Sequence, residues 1–183
     1  KIYNAAKKAG LNALDAPVTG GDIGAKNAAL TIMAGGDKEA FDACKELFSK
    51  LGRQIGYVGG PGAGQHAKMA NQIAIAGTIA GLSEALAYVK RVGADAEAVL
   101  SLISSGSAAS RQMDTYAARI LSGDFAAGFY IKHFCKDMGI ALDEASQRGL
   151  LLEVLKKVND MYASLCDEGM ENLGTQALIQ YYD

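Results

Sequence analysis

The feature that most constrains this chain is "KMANQIAIAGTIAGLSE", residues 68–84. Between Lys68 and Glu84 no residue is charged, and most are small or apolar. The glycine-rich "GGPGAG" (59–64) precedes the run, and helix-forming residues continue it to Arg91. The pattern predicts one long helix from about 65 to 91, roughly 40 Å at 1.5 Å per residue. Met69–Ser83, the uncharged part, is 15 residues long and contains Asn, Gln, Thr and Ser. A bilayer span takes roughly 20 predominantly apolar residues. A buried helix of a soluble protein, with no membrane partner, is therefore the expectation.

The helix divides two regions of different texture. Before it, "LDAPV" (14–18), "ALTIMAG" (29–35) and "RQIGYVG" (53–59) read as short strands between glycine-rich turns. Pro17 places the first at an edge or end position. "DKEAFDACKELFSKLG" (37–52) reads as an amphipathic helix capped by Asp37, with Phe41, Cys44, Leu47 and Phe48 on one face. "KIYNAAKKAG" reads as the tail of a helix closed by Gly10, and with no Met at position 1 the chain is expected to start partway through a larger protein. Residues 1–58 are then a piece of an α/β layer, small for an independent core. From Gly62 onward only helices are expected, near 65–91, 95–104, 108–121, 131–148, 151–168 and 175–182.

Composition narrows the function classes. A net charge of −2 gives no electrostatic footprint for nucleic acid. Cys44, Cys135 and Cys166 form no CxxC pair, and with two histidines no zinc spacing exists, so no metal site is expected. Buried thiols in a reducing, cytoplasmic setting are the simpler reading. "GAGQHA" (62–67) fits a dinucleotide fingerprint, with Glu84 22 residues after Gly62. That fingerprint requires a second strand before the acid. Here the sequence stays helical through Glu84, so the motif is read as a false one.

Lys68 poses the chemical question. On a helix it shares a face with Asn71 and Gln72, at i, i+3 and i+4. Two readings are open: a lysine that snorkels to water, or a desolvated lysine that exchanges a proton near neutral pH, oriented with its substrate by two amides. "DAPVTGGDIGA" (15–25) puts Thr19, Gly20 and Gly21 past a strand end, as an anion nest or an ordinary turn. "FYIKHFCKDMGIALDEA" (129–145) sets Lys132, His133, Lys136 and Asp137 in a mostly apolar helix, as a site or as a solvated face.

The three segments, in this order, resemble the β-hydroxyacid dehydrogenase family, which includes 3-hydroxyisobutyrate dehydrogenase and tartronate semialdehyde (2-hydroxy-3-oxopropionate) reductase. The resemblance covers essentially the whole chain. It implies the end of a Rossmann NAD(P)-binding domain over 1–58, its N-terminal part absent. An all-α domain of the 6-phosphogluconate dehydrogenase C-terminal type would follow over 59–183. It implies that Thr19, Gly20 and Gly21 hold a substrate carboxylate, Thr19 standing where serine is usual. Lys68 would be the proton donor, with Gln72 at the place of the family's amide helper, where Asn is common, and Asn71 just before it. Asn71-Gln72 and the ending "LGTQALIQYY" are similar to the tartronate semialdehyde reductase branch and unlike the His-Asn of 6-phosphogluconate dehydrogenase. Phe129 would pack near nicotinamide, Lys136 would bind the cofactor, and Asp137 would border the substrate. The implied activity is NAD- or NADP-dependent interconversion of a small 3-hydroxy acid and its semialdehyde, by a homo-oligomer. The competing reading, from another class, is a non-catalytic helical oligomerisation module.

Overall fold

The computed structural model describes residues 1–183 and divides into two compact units, 1–71 and 72–183. The first unit opens with α1 (Ile2–Lys8), which buries no residue of its own. Next come β1 (Leu14–Asp15), β2 (Val18–Thr19), α2 (Gly21–Lys26), β3 (Leu30–Gly36), α3 (Lys38–Ser49) and β4 (Gly52–Gly59). The centre of the sheet is β3. It pairs parallel with β4 across the α3 crossover, as a β-α-β unit requires, and antiparallel with β1 and β2 on its other edge.

Sequence reasoning expects one strand over 14–18, whereas β1 and β2 are separate. The register explains why. Asp15 faces Gly35 and, three residues on, Val18 faces Ile32, so both strands follow one ladder along β3 without slippage. The interruption is Ala16–Pro17. Pro17 lacks an N–H to give, although its carbonyl still accepts from the Met33 N–H at 3.0 Å.

Three further expectations in this unit change. The glycine-rich turn after Thr19 winds into the short helix α2. The Asp37 carboxylate makes no capping bond to α3. It accepts instead from the Tyr3 hydroxyl at 2.5 Å and pairs with Lys7 at 2.7 Å, which ties α1 down. Phe41 is buried and Cys44 and Phe48 half-buried as expected, but Leu47 is exposed, because it lies at the margin of the α3 apolar face.

The long helix is α4 (Ala63–Arg91), with α5 (Ala96–Ile103), α6 (Arg111–Leu121), α7 (Ile131–Ser146) and α8 (Glu153–Asp167) after it. Thr175–Tyr182 closes the chain as a 3-10 helix rather than an α-helix. The compact units divide inside α4, between Asn71 and Gln72, so its first two turns belong with the sheet. By length and composition alone α4 would also serve as a membrane span. It nevertheless buries Ala76, Ile79, Leu82, Leu86 and Val89, a stripe at helical spacing. In the second unit Leu82 and Leu86 pack with Leu100, Met113, Ile120 and Ile179 in one cluster. Phe134 and Tyr162 meet edge-to-face at 5.4 Å between α7 and α8. The C-terminal 3-10 helix is part of this core: Ala177, Leu178 and Ile179 are buried, and the buried Tyr162 hydroxyl donates to the Thr175 carbonyl at 2.6 Å.

Candidate active site

In the first unit, β1 delivers Asp15 to the start of α4. One carboxylate oxygen, Oδ1, accepts from the Gly62 N–H at 2.7 Å, and the other, Oδ2, accepts from the Gln65 N–H at 3.0 Å. These are amides that a helix start leaves without an intrahelical partner. The same geometry disposes of the dinucleotide reading of "GAGQHA". A pyrophosphate would need those N–H groups, and an anion of the protein's own holds two of them. Lys68 stands three residues past Gln65, half-buried, with Asn71 one turn further on and also half-buried.

Thr19 ends β2 opposite Thr31 and is half-buried. Gly20 (φ 131°) and Gly21 (φ 65°) follow in backbone conformations that favour glycine. Gly20 is the residue just before α2, and the Gly24 N–H closes the first turn on its carbonyl at 3.0 Å.

In the second unit the structure brings Gln72, Asp137 and Lys136 together. Gln72 Nε2 donates to Asp137 Oδ2 at 2.8 Å, and Lys136 Nζ pairs with Asp137 Oδ1 at 2.8 Å. Gln72 is 2% exposed and Asp137 7%, so their hydrogen bond is shielded from water, whereas Lys136 lies largely in solvent. Because a carboxylate only accepts, Asp137 fixes the orientation of the Gln72 amide. Phe129, half-buried just before α7, packs against His133 at 6.3 Å and Phe134 at 6.0 Å. Its carbonyl accepts from the Thr175 N–H at 3.1 Å, and the Ile131 N–H donates to Leu173 at 3.0 Å, so residues 173–175 clamp this segment. Gln176, fully buried, adds bonds from Nε2 to the carbonyls of Asp124 and Ala126. Lys132 and His133 take up surface roles: both are exposed, and Lys132 Nζ donates to Asn172 at 2.8 Å.

Asp15 is the residue that sequence reasoning passed over. A signal for it existed. "GGPGAG" offers no Ser, Thr, Asp or Asn to cap a helix beginning there, so an acceptor had to come from elsewhere.

Two family models cover nearly the whole chain. One, described as the NAD-binding domain of NADP-dependent 3-hydroxyisobutyrate dehydrogenase, matches residues 62–182. The other, the NAD binding domain of 6-phosphogluconate dehydrogenase, matches residues 1–59. The chain belongs to the β-hydroxyacid dehydrogenase family, a group of oxidoreductases whose cofactor is NAD or NADP. Among its relatives, the oxidoreductase YkwC of Bacillus subtilis (strain 168) is 50% identical over 100% of this chain and 63% of its own length. The 2-hydroxy-3-oxopropionate reductase of Escherichia coli (strain K12) is 39% identical over 91% of this chain and 57% of its own. A Mycobacterium tuberculosis 3-hydroxyisobutyrate dehydrogenase structure, solved with L-serine, superposes with a TM-score of 0.89 at 26% identity, over 98% of this chain and 64% of that one. The chain thus spans less than two-thirds of the length of these proteins.

Proposed function

We propose that the chain belongs to an NAD(P)-dependent oxidoreductase that interconverts a small 3-hydroxy acid and its semialdehyde, such as 2-hydroxy-3-oxopropionate or 3-hydroxyisobutyrate and its aldehyde. In this reading residues 1–58 end a nucleotide-binding domain and residues 59–183 form a helical substrate domain. The observation that supports it most is the buried bond between Gln72 and Asp137, four residues along α4 from Lys68. The Asp137 carboxylate fixes the plane of the Gln72 amide, and a donor held at a fixed angle is what a substrate oxygen needs for orientation.

The roles follow from donor chemistry. The Thr19 hydroxyl and the backbone N–H groups at Gly20 and Gly21 hold the substrate carboxylate. Lys68 Nζ gives its proton to the aldehyde oxygen in reduction and takes it back from the hydroxyl in oxidation. Asn71 and Gln72 orient that oxygen, and Asp137 borders it while holding the Gln72 amide. Lys136 offers an exposed cation and Phe129 an apolar ring, a donor set that suits the phosphate and nicotinamide parts of NAD(P). When bound, the nicotinamide supplies or accepts the hydride at the carbon.

The test is steady-state turnover of NADH and NADPH by the whole enzyme with the two semialdehydes. Saturable reduction of at least one supports the reading. No turnover of either with either nucleotide, nor of other small carboxylated aldehydes, contradicts it.

The reading includes a homo-oligomer formed through the helical domain. Leu150, Leu151 and Val154 are exposed, the second by 81%, which is more apolar surface than a solvated helix start needs. A concentration-independent monomer in sedimentation would remove this part of the proposal.

A further inference from the structure

We propose that Asp15 is a positioning residue for Lys68, seating the first turn of α4 on the sheet and so setting where the lysine stands. The inference rests on the reading of Lys68 as the proton donor.

The residue preceding α4 is Gly62, and its carbonyl accepts the first intrahelical bond, from the His66 N–H at 3.1 Å. In a capping box, the cap side chain takes the N–H of the third helical residue, whose own side chain takes the N–H of the cap. Asp15 does both jobs alone, accepting from Gly62 and from Gln65. A carboxylate there is also favoured by the helix dipole. An ordinary cap is local and only ends a helix. This one comes from 47 to 50 residues away, so it ties the helix to the strand that carries Asp15.

Two glycines make the junction rigid. A Cβ on Gly35 of β3 would lie 2.6 Å from the Gly64 nitrogen, and a Cβ on Gly64 would lie 2.4 Å from the Met33 carbonyl oxygen and 2.7 Å from Asp15 Oδ2. The backbone of the first turn therefore rests directly on β3 and on the Asp15 carboxylate. Lys68 follows Gln65 by three residues, about 4.5 Å along the axis at 1.5 Å per residue. A shift of the first turn is passed to Lys68 almost undiminished. Misplacing a reacting group by about 1 Å can slow a reaction by about 10²-fold.

The test is Asp15→Asn in the whole enzyme, which keeps the shape and replaces one acceptor oxygen with an amide that cannot accept. Hydrogen exchange at the Gly62 and Gln65 amides should quicken. The kcat should fall at least about 10-fold while KM for the aldehyde moves less than about 3-fold, the signature of a group misplaced in the transition state. In a Lys68→Met background the same change should lower kcat no further, because its effect passes through the lysine. A kcat within about twofold of wild type, or an undiminished loss in the Lys68→Met background, overturns the proposal. If Asp15→Asn does not fold, Asp15→Glu keeps the charge and displaces it by one methylene; wild-type kcat in that variant also overturns the proposal. Full activity in Lys68→Met alone would instead reject the proposed function, so the two failures are distinct.

Discussion

Gln72 Nε2 lies 2.8 Å from Asp137 Oδ2, joining α4 to α7 through a hydrogen bond that both partners bury. Removing one side of such a bond leaves the other desolvated and unmatched. Gln72→Leu should therefore lower stability by about 1–3 kcal/mol. Gln72→Glu should be worse, because it sets two carboxylates against each other away from water. Urea unfolding of the three proteins checks the order. Equal stability of Gln72→Glu and wild type would mean that the pair is hydrated.

Gly64 faces the Met33 carbonyl and Asp15 Oδ2, with no room for a methyl group. In most helices Gly→Ala stabilises, by about 0.5–1 kcal/mol. At Gly64 the sign should reverse, with a loss of about 1–3 kcal/mol from overpacking against backbone. Gly77 and Gly81, on the same helix, have nothing within 4 Å of an added Cβ and serve as controls. Thermal melts in which Gly64→Ala matches or exceeds Gly77→Ala would contradict the close junction.

The helices after Gly62 were legible in the sequence because their apolar periodicity and glycine stops are local signals. The run around Lys68 announced α4 to within two residues of its start. What stayed hidden depends on distant partners. Pro17 announced an edge or a strand end, but only pairing with β3 shows that it cuts one ladder into β1 and β2. Asp37 has the right type for a cap, yet Tyr3 and Lys7 reach it across 30 or more residues and take its carboxylate. Asp15 looked like a strand residue because the helix that it caps lies about 50 positions on. In the candidate site, residue types and spacing singled out Gln72 and Asp137, but no periodicity could show that their side chains meet.

Cys135 Sγ lies 3.8 Å from Cys166 Sγ, and burial first, then the neighbouring sulfur, pushes the Cys135 thiol from an ordinary 9.0 up to about 12. The folded state keeps this proton where the unfolded chain would release it. Its contribution to stability is full below about pH 9 and is lost as pH rises toward 12. At pH 8 the thiolate, which is the reactive form, is scarce. Iodoacetamide at pH 8 should label Cys135 at least about 10²-fold more slowly in the folded protein than in urea. Equal rates would show the thiol open to solvent.

The central claim is that Lys68 supplies the proton. Lys68→Met keeps most of the aliphatic volume and removes the acid. A general acid contributes typically about 10²–10⁴-fold to rate, or about 3–5 kcal/mol at 1.36 kcal/mol per decade. The direct measurement is kcat of folded Lys68→Met in the whole enzyme, with semialdehyde and reduced nucleotide both saturating. The account predicts a loss of at least about 10²-fold. A kcat within about threefold of wild type would contradict it and return Lys68 to the role of a snorkelling lysine.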